Sequence, residues 1–408
     1  MNRTLQDYAE IVGPQNIDEL RTLAERLHGK RLQHINSTAV GGLVAEILTR
    51  MVPMMRELGV ETSWDVIKGN EAFSTAARTF SRALYGAPAE VAPEMFDVFR
   101  ATTEMNCREL PITGDVVVIH DPEPIGLIES ERKGGAKWLW RCHLDISNPN
   151  PQVWSFMRDY VEQYHGCIYS MAEFAQKVRV PQFLIQPSID PLSERNRELS
   201  GAEIESALER HGIDPQRPIL TQISRFNWLK DPLGVVAAYR MVKRRHDCQL
   251  VLAGDSSSTD PESVSTLSEV RVQAATDSDI HVIELPPYSD LEVNALVRGS
   301  TVVFQKSLRA GFGLRVSEAL WKRKPVIGGA VGAIKAQVVN GVNGFLIHSP
   351  EGAATRAQQL LADPAMRRQM GENGHEYVRQ NFLLPHHLRD YLLVMLALYH
   401  PNQDLVNL

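Results

Sequence analysis

Arg225 and Lys230 stand five residues apart in Ser224-Arg225-Phe226-Asn227-Trp228-Leu229-Lys230, directly after an apolar run that reads as a β-strand over 219–224. If that loop curls back, the two cations converge on a diphosphate, the guanidinium as a planar fork and the ammonium as a point charge. Two solvated surface cations are the alternative. A second group, Ser307-Leu308-Arg309-Ala310-Gly311-Phe312-Gly313-Leu314, follows a strand over 301–305 and opens a helix that carries Glu318. Amides around Gly311, Phe312, Gly313 and Leu314 offer donors to a phosphate, and the Glu318 carboxylate could accept from ribose hydroxyls. An interhelix glutamate is the plainer reading of that residue. A third group is the strand-to-helix turn Asn36-Ser37-Thr38-Ala39-Val40-Gly41-Gly42. Glycine there lets a ligand approach the backbone, although a plain tight turn explains it too and the spaced third glycine of the dinucleotide fingerprint is missing.

Two more strands end in polar groups, His120-Asp121-Pro122 and Trp140-Arg141-Cys142-His143-Leu144-Asp145. Strand ends are where an α/β domain keeps its ligand contacts, and both groups would then line one cleft. A lone histidine at such a place is more often structural, and neither group has the spacing of a zinc site.

These groups need strands and helices in alternation to hold them, and the pattern supplies both. Strands are expected at 31–36, 60–66, 115–120, 138–143, 167–171 and 183–186, with helices at 43–58, 70–84, 93–107 and 153–164. A second series has strands at 219–224, 249–253, 280–284, 301–305, 325–327 and 345–347, with helices at 233–245, 263–275, 291–297 and 314–321. The Pro-rich stretch 186–196 suits a linker between them. The expectation is an α/β protein of two doubly wound domains, 1–190 and 191–385, facing across a cleft. A C-terminal helical segment, 386–408, could cap either domain or cross back to the first.

The chain has 408 residues, enough for two cores, with 43 Lys and Arg against 49 Asp and Glu. A net charge of −6 without a long basic run excludes nucleic acid as a partner, so local groups must hold any anion. Residues 1–10 are polar and lack the apolar core of a secretion signal, and no window approaches the ~20 apolar residues that span a bilayer. The most apolar stretch, 391–399, reads as a buried helix. Cys107, Cys142, Cys167 and Cys248 are scattered, as reduced thiols of a cytoplasmic protein would be.

Taken together, the groups resemble the retaining GT-B glycosyltransferases of family 4 type, which include sucrose synthases and bacterial mannosyltransferases. Within that set the chain is most similar to the trehalose glycosyltransferring synthases, which join a nucleotide-activated glucose to free glucose. The likeness runs from about Leu5 to Tyr399. Its more specific pieces are Asn36-Ser37-Thr38 with Gly41-Gly42, Ile119-His120-Asp121-Pro122, Trp140 to Pro151, and Pro187 to Glu194. Ser224-Arg225-Phe226 with Lys230, and Gly311-Phe312-Gly313-Leu314 with Glu318, are shared more widely.

The resemblance implies that Arg225 and Lys230 hold the donor diphosphate, with Glu318 on the ribose and Gly41, Gly42 and the 311–314 amides near the phosphates. It places His143 near the transferred sugar, with Asn36, Asp121, Arg141 and Asp145 on the acceptor or sugar side. The implied reaction moves glucose from a nucleoside-diphosphate glucose to glucose, giving α,α-trehalose with retained configuration. No tightly bound cofactor is implied, no motif indicates Mg²⁺, and a homodimer is compatible with the sequence. Base recognition would fall near Leu285-Pro286-Pro287-Tyr288.

The chain departs from the family pattern in four places. The family usually has two glutamates separated by seven residues, and Ala310 stands at the first, where a carboxylate faces the donor sugar. Asn227-Trp228-Leu229 replaces an Asp-Pro-Trp, Leu43 replaces a third glycine, and Asp231-Pro232 stands where many members of the wider family place a glycine after the lysine, as in the trehalose-forming branch. Ala310 therefore leaves three readings open: an engineered substitution, a natural loss of activity leaving a nucleotide-sugar-binding protein, or a related transferase with another donor or acceptor.

Overall fold

The computed structural model describes residues 3–133, 135–254 and 261–400, so residues 401–408 of the expected C-terminal segment lie outside the described part. The chain divides into two compact units, 1–188 with 384–408, and 189–383.

The first unit begins with two helices not anticipated from the pattern, α1 (Gln6–Val12) and α2 (Pro14–Glu25). Six strands follow: β1 (Arg31–Asn36), β2 (Glu61–Val66), β3 (Val116–His120), β4 (Lys137–Arg141), β5 (Gly166–Tyr169) and β6 (Gln182–Leu184). All pair in parallel, in the order β2-β1-β3-β4-β5-β6. Between them run α3 (Gly42–Glu57), α4 (Glu71–Leu84), α5 (Pro93–Glu109), a 3-10 helix (Ile125–Lys133) and α6 (Pro151–Val161). The sequence Val-Val-Val-Ile-His of β3 is buried at every position, because helices cover both faces of a parallel sheet. Side-chain caps fix the helix starts locally: the Asn70 side chain accepts from Phe73 N at 2.9 Å, and Asn150 does the same ahead of Pro151.

The second unit repeats the plan with β7 (Ile219–Ile223), β8 (Gln249–Gly254), β9 (Ile280–Glu284), β10 (Val302–Gln305), β11 (Val326–Gly329) and β12 (Gly344–Ile347). Their order is β12-β11-β10-β7-β8-β9, again all parallel. The helices are α7 (Gly201–Arg210), α8 (Pro232–Lys243), α9 (Pro261–Ala274), α10 (Asp290–Gly299), α11 (Leu314–Trp321), α12 (Ile334–Gln337), α13 (Pro350–Ala362) and α14 (Pro364–Asn381). Ser200 and Glu203 close α7 with a reciprocal capping box. Finally α15 (Leu384–Tyr399) completes the first unit, packing on α2 and α3.

Both strand orders contain a point where the progression of the chain reverses. It falls between β1 and β3 in the first unit and between β7 and β10 in the second, and crevices for ligands form beyond the strand ends at such points. No helix among the described residues is long and apolar enough to cross a membrane.

Candidate functional site

The second unit assembles its polar groups from the loops after β7 and β10, the two strands that flank its switch point. Phe226 is buried in the core and anchors the first loop, leaving its neighbour Arg225 exposed. The Asn227 side chain accepts from Leu229 N at 2.8 Å, and Gln222 Nε2 donates to the Lys230 carbonyl at 3.1 Å, so the loop curls back. Leu308 N donates to Leu229 O at 2.8 Å and ties the two loops together. Asp231, at φ 49°, caps α8 and pairs with Lys306.

The Lys230 ammonium is lowered to about 8, first by burial and then by the charges of Arg225 and Arg315. Among the described residues no carboxylate pairs with it. Three cations thus face one another there, an arrangement that an anion would relieve.

Glu318 is buried in the first turns of α11. Burial acts to raise its pKa, but the positive charges of Arg315, Arg195 and Lys322 win and hold it below the usual carboxylate range. Arg315 Nη1 donates to both carboxylate oxygens at 2.6 Å, and Arg195 Nε lies 4.0 Å away. Lys322 donates to Asn196 Oδ1 at 2.7 Å and to Glu318 O at 3.3 Å. Of these partners, Arg315 stands three residues before Glu318 and was readable as a helical neighbour; Arg195 and Lys322 were not singled out from sequence.

Gly311 and Gly313 are partly exposed, and no side chain caps α11 at Gly313. Phe312 is buried edge-on against Phe382, with ring centroids 5.5 Å apart, and Leu314 is buried too. These two offer backbone groups only. Ala310 is buried, and its carbonyl lies so close to Gly332 that a Cβ there would sit 1.6 Å away.

In the first unit the expected residues gather at the ends of β1, β3 and β4. Asn36 is spent within its own loop, donating to Thr38 O at 2.7 Å and accepting from Trp64 Nε1 at 2.8 Å. Gly41 and Gly42 have φ of 75° and 82°, backbone that only glycine adopts cheaply, with open space where a Cβ would be. Asp121, at φ 66°, accepts from His143 N at 2.8 Å. Desolvation and then the Glu123 carboxylate raise its pKa, against the hydrogen bond from His143 and the charge of Arg141. Asp145 turns to Ser147, accepting from its N at 3.1 Å and its Oγ at 2.6 Å.

Arg141 is fully buried; it reaches Ser170 Oγ at 3.4 Å, while Nε and Nη1 have no partner among the described residues. His120 lies between His143 and a histidine the sequence reading passed over, His34. The alternation along β1 places His34 two residues before Asn36, on the same face, which is the signal that could have found it. Tyr391 and His387 of α15 stand beside this group. The four cysteines are free.

Comparison with known proteins agrees with this layout. Residues 34–176 match the trehalose synthase N-terminal domain family, and residues 203–377 match the glycosyl transferases group 1 family. The chain is 40% identical to a trehalose synthase of Thermococcus litoralis over 96% of both chains, and 41% identical to one of Rubrobacter xylanophilus over 96% of both. In fold it is similar to a solved Escherichia coli structure described as trehalose-6-phosphate bound with UDP-2-fluoro glucose (TM-score 0.74, 11% identity, 92% of this chain and 99% of the other). Full-length identity at that level, with two parallel-sheet units of GT-B type, shows that the chain is a glycosyltransferase and belongs to the trehalose synthase family.

Proposed function

We propose that the protein transfers glucose from a nucleoside-diphosphate glucose to free glucose, forming α,α-trehalose with retention and without a tightly bound cofactor. The observation that carries this reading is the convergence of Arg225, Lys230 and Arg315 at the β7/β10 switch point, with no carboxylate among the described residues answering Lys230. Such a cluster binds a diphosphate and stabilises the charge that grows on it as the glycosidic bond breaks. A nucleoside diphosphate is a good leaving group, so the paired carboxylates of a glycosidase are not needed. The full-length likeness to trehalose synthases supports the acceptor and the product.

Ala310 favours a second reading, a nucleotide-sugar-binding protein that has lost turnover, because the carboxylate expected to face the donor sugar is missing. One experiment separates the two. The chain is incubated with ¹³C-glucose and UDP-, ADP- and GDP-glucose and followed by carbon NMR, and the same is done with Ala310→Glu. We expect α,α-trehalose from the unaltered chain, and at least about tenfold faster formation from Ala310→Glu, a gain of ~1.4 kcal/mol in transition-state stabilisation. Nucleotide binding without disaccharide from either chain would establish the second reading.

A further inference from the structure

Strands β1, β3 and β4 are neighbours, and a histidine stands near or just past the C-terminal end of each: His34 within β1, His120 at the end of β3 and His143 two residues beyond β4. The register pairs His34 with Val118 and His120 with Arg141, so residues 34, 120 and 141 share a face, and His143 follows two positions on. The rings are joined in series: His34 Nδ1 to His120 Nε2 at 2.9 Å, and His120 Nδ1 to His143 Nε2 at 3.3 Å. The outer nitrogens, His34 Nε2 and His143 Nδ1, are buried without a partner among the described residues.

All three rings are neutral. Burial lowers His34 to about 3 with help from His387, and burial followed by neighbouring basic groups, Arg141 among them, pushes His120 and His143 well below their ordinary value. Three neutral rings carry three protons, and each of the two bridges must contain one of them. Only two arrangements satisfy both bridges. In one, every ring is protonated on Nε2, so His143 Nδ1 is a bare lone pair and His34 Nε2 carries a proton. The other is the mirror image, with every proton on Nδ1. Switching between them requires all three protons to move together.

The surroundings choose between the two. Arg141 is fully buried, with two nitrogens unpartnered among the described residues, and its charge acts on His143 and His120 but is not among the causes that shift His34. A cation near the His143 end favours a lone pair there over an N–H. We propose that His34 and His120 are positioning residues, which hold His143 protonated on Nε2 so that its Nδ1 accepts a hydrogen bond from a hydroxyl of the bound sugar. The sugar part of this inference rests on the function proposed above; the tautomer part does not.

The test is a long-range ¹H–¹⁵N spectrum of the full chain labelled with ¹⁵N-histidine, with His143 assigned by its loss in His143→Gln. The expected result is a pyridine-type Nδ1 and a pyrrole-type Nε2 at His143. His34→Leu removes the acceptor for His120 Nε2–H, and should give His143 a mixture of tautomers. It should also raise KM for one of the two sugar substrates by about fivefold, the worth of one neutral hydrogen bond, with little change in kcat. His34→Asn places an amide oxygen where Nδ1 was and should restore both readouts. A His143 protonated on Nδ1 in the unaltered chain overturns the proposal, as does an unchanged His143 spectrum in a folded His34→Leu. If His34→Leu does not fold, His120→Leu is read by the same criteria. A changed spectrum with unchanged KM values overturns the sugar contact alone, and failure to make trehalose leaves the spectral result standing.

Discussion

Lys230 is the residue whose chemistry depends most on its surroundings. Its ammonium is lowered to about 8 by burial, then by Arg225 and Arg315. A diphosphate favours the protonated form, so affinity is full where Lys230 is protonated and declines as pH rises through about 8. Calorimetric titration of a nucleoside diphosphate between neutral and alkaline pH should show that loss. Lys230→Arg, which stays charged throughout, should flatten the curve. Lys230→Ala should weaken binding at neutral pH by ~2 kcal/mol, about thirtyfold. Arg225, Lys230 and Glu318 were legible because residue type and position after a strand suffice to nominate them. The pairing of Glu318 with Arg195 was not, since those residues meet only when the chain has folded.

At the scale of elements, the switch points place the polar loops, and glycines let the loops approach. Gly332 combines φ 48° with a Cβ position 1.6 Å from the Ala310 carbonyl. Gly332→Ala should therefore push the 307–313 loop outward. The expected cost is at least about 3 kcal/mol in urea denaturation of the second unit, with a loss of nucleotide affinity measured by calorimetry. Strands were readable to within a few residues, because continuous apolar runs such as Val-Val-Val-Ile in β3 mark a sheet covered on both faces. Helix α14 was missed for the opposite reason. In its eighteen residues only Met370, Gly371, Gly374 and Val378 are buried, too few to set up a helical apolar stripe. The 3-10 helix Ile125–Lys133 has no 3.6-residue period to detect.

At the scale of the whole molecule there are two cores, and the last helix belongs to the first. Leu392 of α15 and Leu360 of α13 are both fully buried, one in each unit. Leu392→Ala should cost about 3 kcal/mol and speed hydrogen exchange in peptides of the first unit, including α2. Leu360→Ala should do the same in peptides of the second. Exchange read by mass spectrometry checks both, and loss of protection in the second unit on Leu392→Ala would contradict the division.

The alternation of strands and helices, the break between the two series, and the polar groups that follow β1, β3, β4, β7 and β10 are all local in the chain. Each of these is written in a window of a few residues, through period, apolar runs and turn chemistry. The order of strands in each sheet, and with it which ends are neighbours, emerges only in the folded molecule. That order brings His34 to His120 across 86 residues of chain, surrounds Glu318 with Arg315, Arg195 and Lys322, and returns α15 to the first unit. The physical reason is the range of the forces that decide them. Local propensity acts between near neighbours in sequence, whereas the burial of polar groups is settled by residues that meet only after the sheets have formed.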